Sequence, residues 1–452
     1  MIRLRFIASL ILLTILTLPC VGCARDDCSF ASYSTAAAPV IPIGFGVNID
    51  FTDPRPGEMK MLSQAGFRWV RMDLKWDLTE PAKGQYDFTA YDRLTPSLDQ
   101  YDLHSLFILD YTNPAYDNGQ PPHTDEARQA FARWAVAAAK HFAGRGVIWE
   151  IYNEPNIAQF WPPRPKVDDY VALALAVGRA FRESVPNEKL IGPATSGIDF
   201  SFLEACFKAG LLDYWSAVSV HPYRRSDPET AASDYCRLRK MIKTYAAVGT
   251  QISSDVALKR DLPIIASEWG YSSVWSGMDD EKQGQLLARS WLTNAANDVS
   301  VSIWYDWHDD GPDAKEPEHH FGTVYNPYYA DRESVFDPKP AYLAVKTLTT
   351  FFRGYRFEKR LNVGGDDDYV IVLHKGNEAR VAAWTTASGA HSVVIPLDPG
   401  KYTGVTYTGQ NLAVVTADQQ GVVRNLTTAP VYIAKSEPPA VAGGPTRLMK
   451  QP

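Results

Sequence analysis

Short apolar runs alternate with amphipathic segments through most of the chain. Runs rich in Val, Ile, Leu and aromatic residues predict buried strands, and segments with apolar residues every three or four positions predict helices that pack one face against them. The predicted strands are 43–49, 67–73, 105–110, 146–154, 189–193, 215–223, 262–269 and 300–306. The predicted helices are 56–66, 87–101, 124–142, 167–184, 200–209, 231–247, 280–296 and 340–352.

Eight buried strands, each followed by a helix, predict the α/β class and a closed (β/α)8 barrel, the TIM barrel, over residues 41–354. An open, doubly wound sheet is the alternative architecture for this alternation. That fold usually has a glycine-rich turn after its first strand, and residues 48–57 do not form one. The barrel is therefore the favoured prediction.

The pattern changes near residue 355, where short segments of alternating polarity begin and turn residues divide them. This change predicts a small antiparallel β-sandwich of about seven strands over residues 355–436. Residues 437–452 are rich in Pro and Gly and are predicted to be disordered.

The first 23 residues have the pattern of an export signal rather than of a folded element. Arg3 and Arg5 precede an apolar stretch that ends near Pro19. Val21-Gly22-Cys23 then resembles the end of a bacterial lipobox, whose cysteine is lipidated; plain cleavage and an uncleaved anchor are the alternatives. Residues 24–40 are small and polar and form a predicted linker. We therefore expect a protein outside the cytoplasm, either periplasmic or anchored to a membrane through Cys23.

Charge and composition narrow the classes of partner. A formal charge of −7 and a pI near 5.8 argue against nucleic acid, which requires a basic surface, but they are compatible with a neutral or a cationic polymer. We expect a monomer that needs no cofactor and no metal. Of the cysteines beyond the lipobox, Cys206 and Cys236 are expected to be free buried thiols, with a disulfide between them as the alternative.

The carboxyl ends of the strands carry the active site in TIM-barrel enzymes, so polar and aromatic residues there are candidates for function. Glu154 ends the fourth strand and Glu268 the seventh, and in a closed barrel of eight strands these ends lie nearly opposite each other. The other candidates at strand ends are Arg71, Asn153, His221, Tyr223, Trp304 and Trp307.

Two facing carboxylates beside aromatic rings are what hydrolysis of a glycosidic bond requires. One carboxyl group donates a proton to the leaving oxygen, and the other is ionised and attacks the anomeric carbon or activates water. Arg71 and the Tyr223 hydroxyl are expected beside Glu268 and would favour its ionised form. Glu154, next to Asn153 and apolar walls, is expected to act first as acid and then as base.

Residues 149–156 (WEIYNEPN) resemble the W-E-x-W-N-E-P-N signature of the large clan of (β/α)8 glycoside hydrolases. Residues 265–270 (IASEWG) resemble the nucleophile motif on the seventh strand of the same clan. The order and spacing of the two motifs resemble glycoside hydrolase family 39, over residues 43–435. Tyr152 is a departure, because Trp is commoner at that position of the signature.

The resemblance implies a reaction that retains the anomeric configuration, with Glu154 as acid/base and Glu268 as nucleophile. It also implies that Asn153 binds the hydroxyl next to the anomeric carbon and that Tyr223 holds Glu268. Trp304 would form a platform under the sugar, often within a non-proline cis peptide.

Several of these residues have a purely structural alternative. Glu150 lies two pleats below Glu154 and is interpreted as an ion-paired residue of the barrel core. Arg71 and His221 could each be core residues only. Candidates for the rim of a substrate groove, with plain packing as an equal alternative, are Asn48, Trp76, His123 and Trp161.

The connection over residues 306–337 is long and charged. Its His308-Asp309-Asp310 and Glu318-His319-His320 runs fit no recognised spacing of metal ligands. Long loops in a compact domain are often functional, so we expect this one to cover one side of the groove.

The sequence therefore predicts a retaining, endo-acting glycoside hydrolase that cleaves an extracellular or periplasmic polysaccharide, and the resemblance points to a biofilm exopolysaccharide. The alternatives are a non-catalytic carbohydrate-binding lipoprotein of a polysaccharide secretion system and a transglycosylase that uses the same residues.

Overall fold

The computed structural model describes residues 39–246 and 261–436 of the chain. Eight parallel strands form a closed barrel in which each strand pairs with the next and the first pairs with the eighth. The strands are β1 (Phe45–Asn48), β2 (Trp69–Lys75), β3 (His104–Asp110), β4 (Ile148–Ile151), β5 (Lys189–Ser196), β6 (Ala217–His221), β7 (Ile264–Trp269) and β8 (Val299–Trp304). The predicted TIM barrel is confirmed.

Helices surround the barrel, and all of those described except the four-residue helix Trp76–Thr79 lie close to the predicted positions. They are α1 (Glu58–Ala65), α2 (Trp76–Thr79), α3 (Thr89–Gln100), α4 (Asp125–His141), α5 (Val167–Ser184), α6 (Phe200–Lys208), α7 (Ala231–Ala246), α8 (Asp280–Ala296) and α9 (Pro340–Phe351). Side-chain caps define several starts: Thr124 accepts from the Ala127 N–H at 3.2 Å before α4, and Asp279 accepts from the Lys282 N–H at 2.7 Å before α8. No helix among the described residues is both long and apolar enough to cross a membrane.

The barrel interior has an apolar floor and a polar upper layer. The floor is a cluster of buried aliphatic side chains: Leu106, Ile108, Ile148, Ile191, Ala217, Ile265, Val301 and Ile303. One inward position further along their strands, the side chains become polar, as with Arg71 and Glu150. Because alternate residues of a strand face opposite sides, the same strands present their other residues to the helices. The polar upper layer forms the base of the candidate site.

An antiparallel β-sandwich follows the barrel, as predicted. Before it, a hairpin that the sequence did not predict lies within the connection after β8 and consists of β9 (Val324–Tyr328) and β10 (Phe336–Pro338). The sandwich strands are β11 (Arg356–Leu361), β12 (Asp368–Lys375), β13 (Glu378–Thr385), β14 (His391–Ile395), β15 (Gly400–Thr406), β16 (Asn411–Ala417), β17 (Val422–Leu426) and β18 (Val431–Lys435). Six of them form one sheet in the order β11-β12-β13-β18-β15-β16, and β14 pairs with β17 in a second sheet.

The sandwich packs on the barrel through a buried polar contact. Trp384 of β13 donates its indole N–H to Glu229 at 2.6 Å, and Arg289 of α8 holds the same carboxylate with two bonds of 2.8 and 2.7 Å. All three side chains are buried. Since a buried carboxylate is costly unless it is paired, Arg289 neutralises Glu229 within the barrel, and the sandwich adds a further hydrogen bond from Trp384.

Some predictions concern residues outside the described part of the chain. They are the signal segment 1–23 with Cys23, most of the 24–40 linker, and the tail 437–452. Among the described cysteines, Cys206 is free and buried, as expected. Cys236 is disulfide-bonded, so the expectation of a free thiol was wrong there, and the alternative Cys206–Cys236 bond is not formed.

Candidate active site

An open cavity of about 1010 Å³ lies at the carboxyl ends of the barrel strands. Arg71, Asn153, Glu154, Tyr223 and Glu268 all line it. The position is the one expected for a TIM-barrel active site. The volume is at the upper end of the roughly 300–1,000 Å³ typical of pockets for a drug-sized ligand, so several sugar rings can enter.

The end of β4 positions Glu154. Regular pairing stops at Ile151, and both Tyr152 (φ 65°) and Glu154 (φ 45°) have the left-handed backbone that is rare for residues with a Cβ. Backbone hydrogen bonds maintain this shape, from Tyr152 N–H to Leu109 O and from Glu154 N–H to Ala194 O, each at 3.0 Å. Such strain is found where the surrounding structure fixes a functional group. Glu154 is 7% exposed and points to the cavity.

A register irregularity in β7 turns Glu268 toward the cavity. Ile265 belongs to the barrel floor and Ala266 to the outer layer, so strict alternation would place Glu268 on the helix side. The pairing of β7 with β8 shifts between Ala266 and Trp269, and Trp269 packs in the outer layer instead. A shift of this kind re-aims a side chain beside a functional site.

Arg71 is the polar centre of the site. Its guanidinium donates from Nε to Glu150 at 2.8 Å, from Nη1 to Glu268 at 2.6 Å and from Nη2 to Asn153 at 2.8 Å. Burial opposes its charge, but Glu150 and Glu268 keep the pKa of Arg71 above its ordinary value. Burial likewise opposes ionisation of Glu150, yet the charge of Arg71 holds the pKa of Glu150 below its usual range. Glu150 is thus an ion-paired residue of the barrel interior, as interpreted from the sequence.

His221 lies beneath Glu154 rather than in the cavity. It is completely buried, with Nδ1 2.9 Å from Glu154 Oε1 and Nε2 3.3 Å from Arg71 Nη2. A guanidinium can only donate, so Nε2 accepts and the proton on Nδ1 is donated to Glu154. His221 was predicted to bind substrate, and the structure corrects this: both ring nitrogens are engaged, and the residue positions the acid instead.

Tyr223 donates its hydroxyl to Glu268 Oε1 at 2.8 Å. Burial, together with the charge of Glu268, raises the pKa of Tyr223 well above its ordinary value, so the phenol remains a hydrogen-bond donor. The Glu268 carboxylate therefore receives hydrogen bonds on both oxygens, from Tyr223 and Arg71, and both stabilise negative charge on it. Tyr223 lies where the sequence placed it, beside Glu268.

The two glutamates are close. One carboxylate oxygen of each and one ring nitrogen of His221 lie within 4.8 Å of one another. An upper limit of 4.8 Å between these two oxygens is nearer to the roughly 5–5.5 Å of retaining glycosidases than to the roughly 6.5–9.5 Å of inverting ones.

The same three groups could in principle hold a cation, since their ligand atoms converge. Their hydrogen bonds argue for another use. The His221 nitrogens face Glu154 and Arg71, and the fixed positive charge of Arg71 lies 2.6 Å from Glu268. A metal ion here would compete with a guanidinium that already neutralises the site.

Two tryptophans predicted to bind substrate lie elsewhere. Trp304 is completely buried in the outer layer and donates its indole N–H to Phe321 O at 3.1 Å. Trp307 is also buried and donates to Glu58 of α1 at 2.9 Å. Val301 and Ile303 face the barrel floor, so the two-residue period of β8 directs Tyr305 into the cavity and Trp304 away from it. At the end of β8 the aromatic side chain that lines the cavity is therefore Tyr305, and a non-proline cis peptide joins it to Asp306.

Of the four residues predicted at the rim of the groove, one lines the cavity and three do not. Asn48 lines the cavity and lies 3.3 Å from Arg71, whereas Trp76 and Trp161 are buried among other side chains. His123 lies outside the cavity, beside Asp117 at 3.2 Å.

Cavity residues that the sequence did not single out include Asp73, Tyr111, Phe160 and Trp275. Asp73 could have been found, because it is two residues after Arg71 on the same face of β2.

The chain matches the model of a known protein family. A model of the cellulase family, glycosyl hydrolase family 5, matches residues 57–311, more than half of the chain. No curated protein matches the sequence at a significant level.

Solved structures share the fold. A family 39 glycoside hydrolase from the gut symbiont Bacteroides cellulosilyticus WH2 is 25% identical, with a TM-score of 0.73, over 89% of this chain and 82% of that one. A family 39 β-xylosidase from Caulobacter crescentus is 18% identical, with a TM-score of 0.61, over 88% and 97% of the two chains. A family 30 endoxylanase from Clostridium papyrosolvens C71 is 12% identical, with a TM-score of 0.61, over 89% and 98%.

The closed barrel and the two facing glutamates agree with the family match. The resemblance of residues 149–156 and 265–270 to the clan of barrel glycosidases is confirmed at the level of the clan. The chain belongs to the cellulase family, glycosyl hydrolase family 5, and is a retaining glycoside hydrolase.

Proposed function

We propose that the protein is an endo-acting enzyme that cleaves a biofilm exopolysaccharide outside the cytoplasm and that resembles family 39 hydrolases of the same clan in the order and spacing of its two glutamate motifs. The observation that carries the proposal is the Glu154–Glu268 pair at the base of an open cavity of about 1010 Å³. A cavity of this size accepts a chain of sugars rather than a single ring.

Glu154 acts as acid and base, and Glu268 as nucleophile. Glu154 donates its proton to the glycosidic oxygen while Glu268 attacks the anomeric carbon and forms a glycosyl ester. Glu154 then takes a proton from water, which attacks the same carbon and releases Glu268. Arg71 and Tyr223 hold Glu268 in its attacking position, and His221 orients Glu154.

The extent of the cavity supports cleavage within a chain. Besides the carboxylate pair, its wall includes Leu78 and Arg93 from the segment after β2, and Trp275 and Glu318 from the connections after β7 and β8. Along it, Tyr111 and Phe160 stack with ring centroids 5.6 Å apart and an interplanar angle of 11°. Aromatic faces of this kind suit the apolar faces of sugar rings.

We infer the location outside the cytoplasm from the first residues of the chain. The positively charged start, the apolar stretch and the Val21-Gly22-Cys23 sequence support export and attachment of a lipid to Cys23. Together with a barrel and a terminal sandwich, these features resemble the PslG-type endo-glycosidases of biofilm exopolysaccharide. We propose a monomer in the periplasm or on a membrane.

Product analysis tests the proposal. A panel of purified exopolysaccharides is incubated with the wild type and, in parallel, with Glu154→Gln, which keeps the shape but not the proton donor. The expected result is a series of oligosaccharides with new reducing ends from the wild type, slower by orders of magnitude with Glu154→Gln. Release of monosaccharides only, or equal rates for the two proteins, would contradict it.

A further inference from the structure

The connection that follows Glu154 brings an aromatic ring to the cavity wall, where it meets a second one. Phe160 belongs to this connection, between β4 and α5, and Tyr111 follows β3, the strand that pairs with β4. The two rings are nearly parallel, with centroids 5.6 Å apart, and both line the cavity. Both remain partly exposed, so they are accessible to a ligand in the cavity.

The geometry of the reaction directs the leaving sugar toward these rings. Glu268 attacks the anomeric carbon from one side, so the glycosidic oxygen departs on the opposite side, where Glu154 must reach it within hydrogen-bond distance. Glu154 lies just beyond the end of β4, in the same connection as Phe160. The half of the cavity at the ends of β3 and β4 therefore receives the sugar that leaves.

Tyr152 holds both rings in place. It is completely buried, donates its hydroxyl to Phe160 O at 3.1 Å, and packs edge-on against Tyr111 with ring centroids 5.7 Å apart at 87°. Tyr152 is also the departure from the clan signature, in which tryptophan is commoner at this position. A tryptophan has no hydroxyl, so the departure supplies the hydrogen bond to Phe160 from a group that the usual residue lacks.

Further hydrogen bonds fix the connection in the absence of a ligand. Asn156 donates to Ser196 O at 3.1 Å and accepts from the Ser196 N–H at 2.9 Å, which ties the connection to the end of β5. The Trp161 N–H donates to Ile157 O at 3.0 Å. Gln159, between these contacts, is exposed and lines the cavity, and its amide can both donate and accept. A preformed wall that combines aromatic faces with a polar group suits a sugar ring.

We infer that Tyr111, Gln159 and Phe160 form the subsite for the sugar ring on the leaving-group side of the scissile bond, and that Tyr152 positions this subsite. The inference deepens the proposed function and rests on its assignment of acid and nucleophile. It locates the part of the polysaccharide that departs when the glycosyl ester forms.

The same subsite gives the enzyme a second activity, transfer to a sugar. Once the leaving sugar has gone, another sugar can bind there as acceptor. A hydroxyl group of the acceptor attacks the anomeric carbon, the ester bond to Glu268 breaks, and Glu154 takes the hydroxyl proton. The product is a new glycosidic bond, formed by the reverse of the first step of cleavage.

Glycosyl fluorides test the subsite, because fluoride is too small to fill it. The full-length protein is given α- and β-fluorides of glucose, galactose, mannose and xylose as donors, and the methyl glycosides of the same sugars as acceptors. Fluoride release measures how much glycosyl ester forms, and mass spectrometry measures the fraction that is transferred to the acceptor. With the wild type this fraction should rise with acceptor concentration and saturate, because the acceptor binds at a defined site.

Variants separate the subsite from general effects on the fold. Phe160→Ala should raise the acceptor concentration for half-maximal transfer by about tenfold, since stacking on one aromatic face is lost. Tyr152→Phe should raise it by about twofold to tenfold, since one hydrogen bond is lost. A purely structural role would instead lower fluoride release and transfer together and leave the transferred fraction unchanged. Tyr86→Ala is the matched control, because Tyr86 is an exposed aromatic residue that does not line the cavity, and it should behave as the wild type.

Saturation-transfer difference NMR of the methyl glycosides gives a second readout that requires no turnover. Weaker signals with Phe160→Ala than with Tyr86→Ala are expected, and equal signals would contradict the subsite.

A transferred fraction that does not saturate, or the same half-maximal concentration for the wild type and Phe160→Ala, would overturn the inference. Release of oligosaccharides from an exopolysaccharide without saturable transfer would refute only this inference. Saturable transfer that depends on Phe160, together with no cleavage of any exopolysaccharide, would refute the proposed function and leave the subsite in place.

Discussion

At the residue scale, Arg71 is the side chain on which the site depends. One buried guanidinium contacts Glu268, Asn153 and, through His221, the carboxylate of Glu154. The sequence indicated that a cation at the end of β2 would lie near Glu268, because barrel strands bring their carboxyl ends together. It could not show that the same group also reaches the fourth and sixth strands, since that depends on the side-chain packing of the polar layer.

Tyr223 offers a test of how the nucleophile is held. Tyr223→Phe removes the 2.8 Å hydrogen bond to Glu268 and changes little else, because the ring remains packed. A hydrogen bond to a charged group contributes about 1.5–3 kcal/mol, so kcat should fall by about tenfold to a hundredfold. Steady-state kinetics measure the change, with the thermal unfolding temperature as a control for folding. An unchanged kcat would show that Arg71 alone holds Glu268.

At the element scale, the alternation of side chains between the two faces of a strand explains which site predictions were right. The two-residue period of β8 assigns Tyr305 to the cavity and Trp304 to the helix layer, and this signal was present in the sequence. Strand β7 is the opposite case. Strict two-residue alternation would direct Glu268 toward the helices, but an irregular register directs it toward the cavity. Motif resemblance predicted Glu268 correctly as a cavity residue, and periodicity alone would have assigned it to the outside.

The end of β3 yields a prediction about pH and stability. Asp110 is completely buried, and neither of its oxygens has a donor among the described residues. Burial and then the charge of Asp73 raise the pKa of Asp110 well above its ordinary value. The folded protein thus retains a proton that the unfolded chain releases above about pH 4, so this group makes stability fall as pH rises.

Asp110→Asn removes that dependence, because asparagine is neutral in both states. The difference between its free energy of unfolding and that of the wild type should therefore increase as the pH rises from about 4 to about 7. The free energy of unfolding of Asp87→Asn relative to the wild type should instead fall as pH rises toward about 4, since a side-chain hydrogen bond from Thr89 lowers the pKa of Asp87. Urea denaturation at several pH values measures both, and parallel curves for wild type and Asp110→Asn would contradict the prediction.

At the scale of the whole molecule, the order of strands and helices in the barrel was predictable, and the contacts between domains were not. Eight apolar runs with intervening helices leave few alternatives to a closed barrel. The first sandwich strand, Arg356–Leu361, was missed because four of its six residues are charged. Such a composition is tolerated there because the strand lies at the edge of the sheet. Trp384, Glu229 and Arg289 are far apart in sequence, and only the fold brings them together.

The assignment of Glu154 and Glu268 to distinct roles is the central claim, and azide rescue tests it most directly. On a substrate with a good leaving group, Glu268→Ala with azide should give a glycosyl azide of inverted configuration, because azide takes the place of the nucleophile. Glu154→Ala with azide should give the retained configuration, because azide attacks the glycosyl ester on Glu268. The anomeric configuration of each product is read by proton NMR. Opposite configurations in this order are predicted; the reverse order, or the same configuration from both variants, would contradict the account.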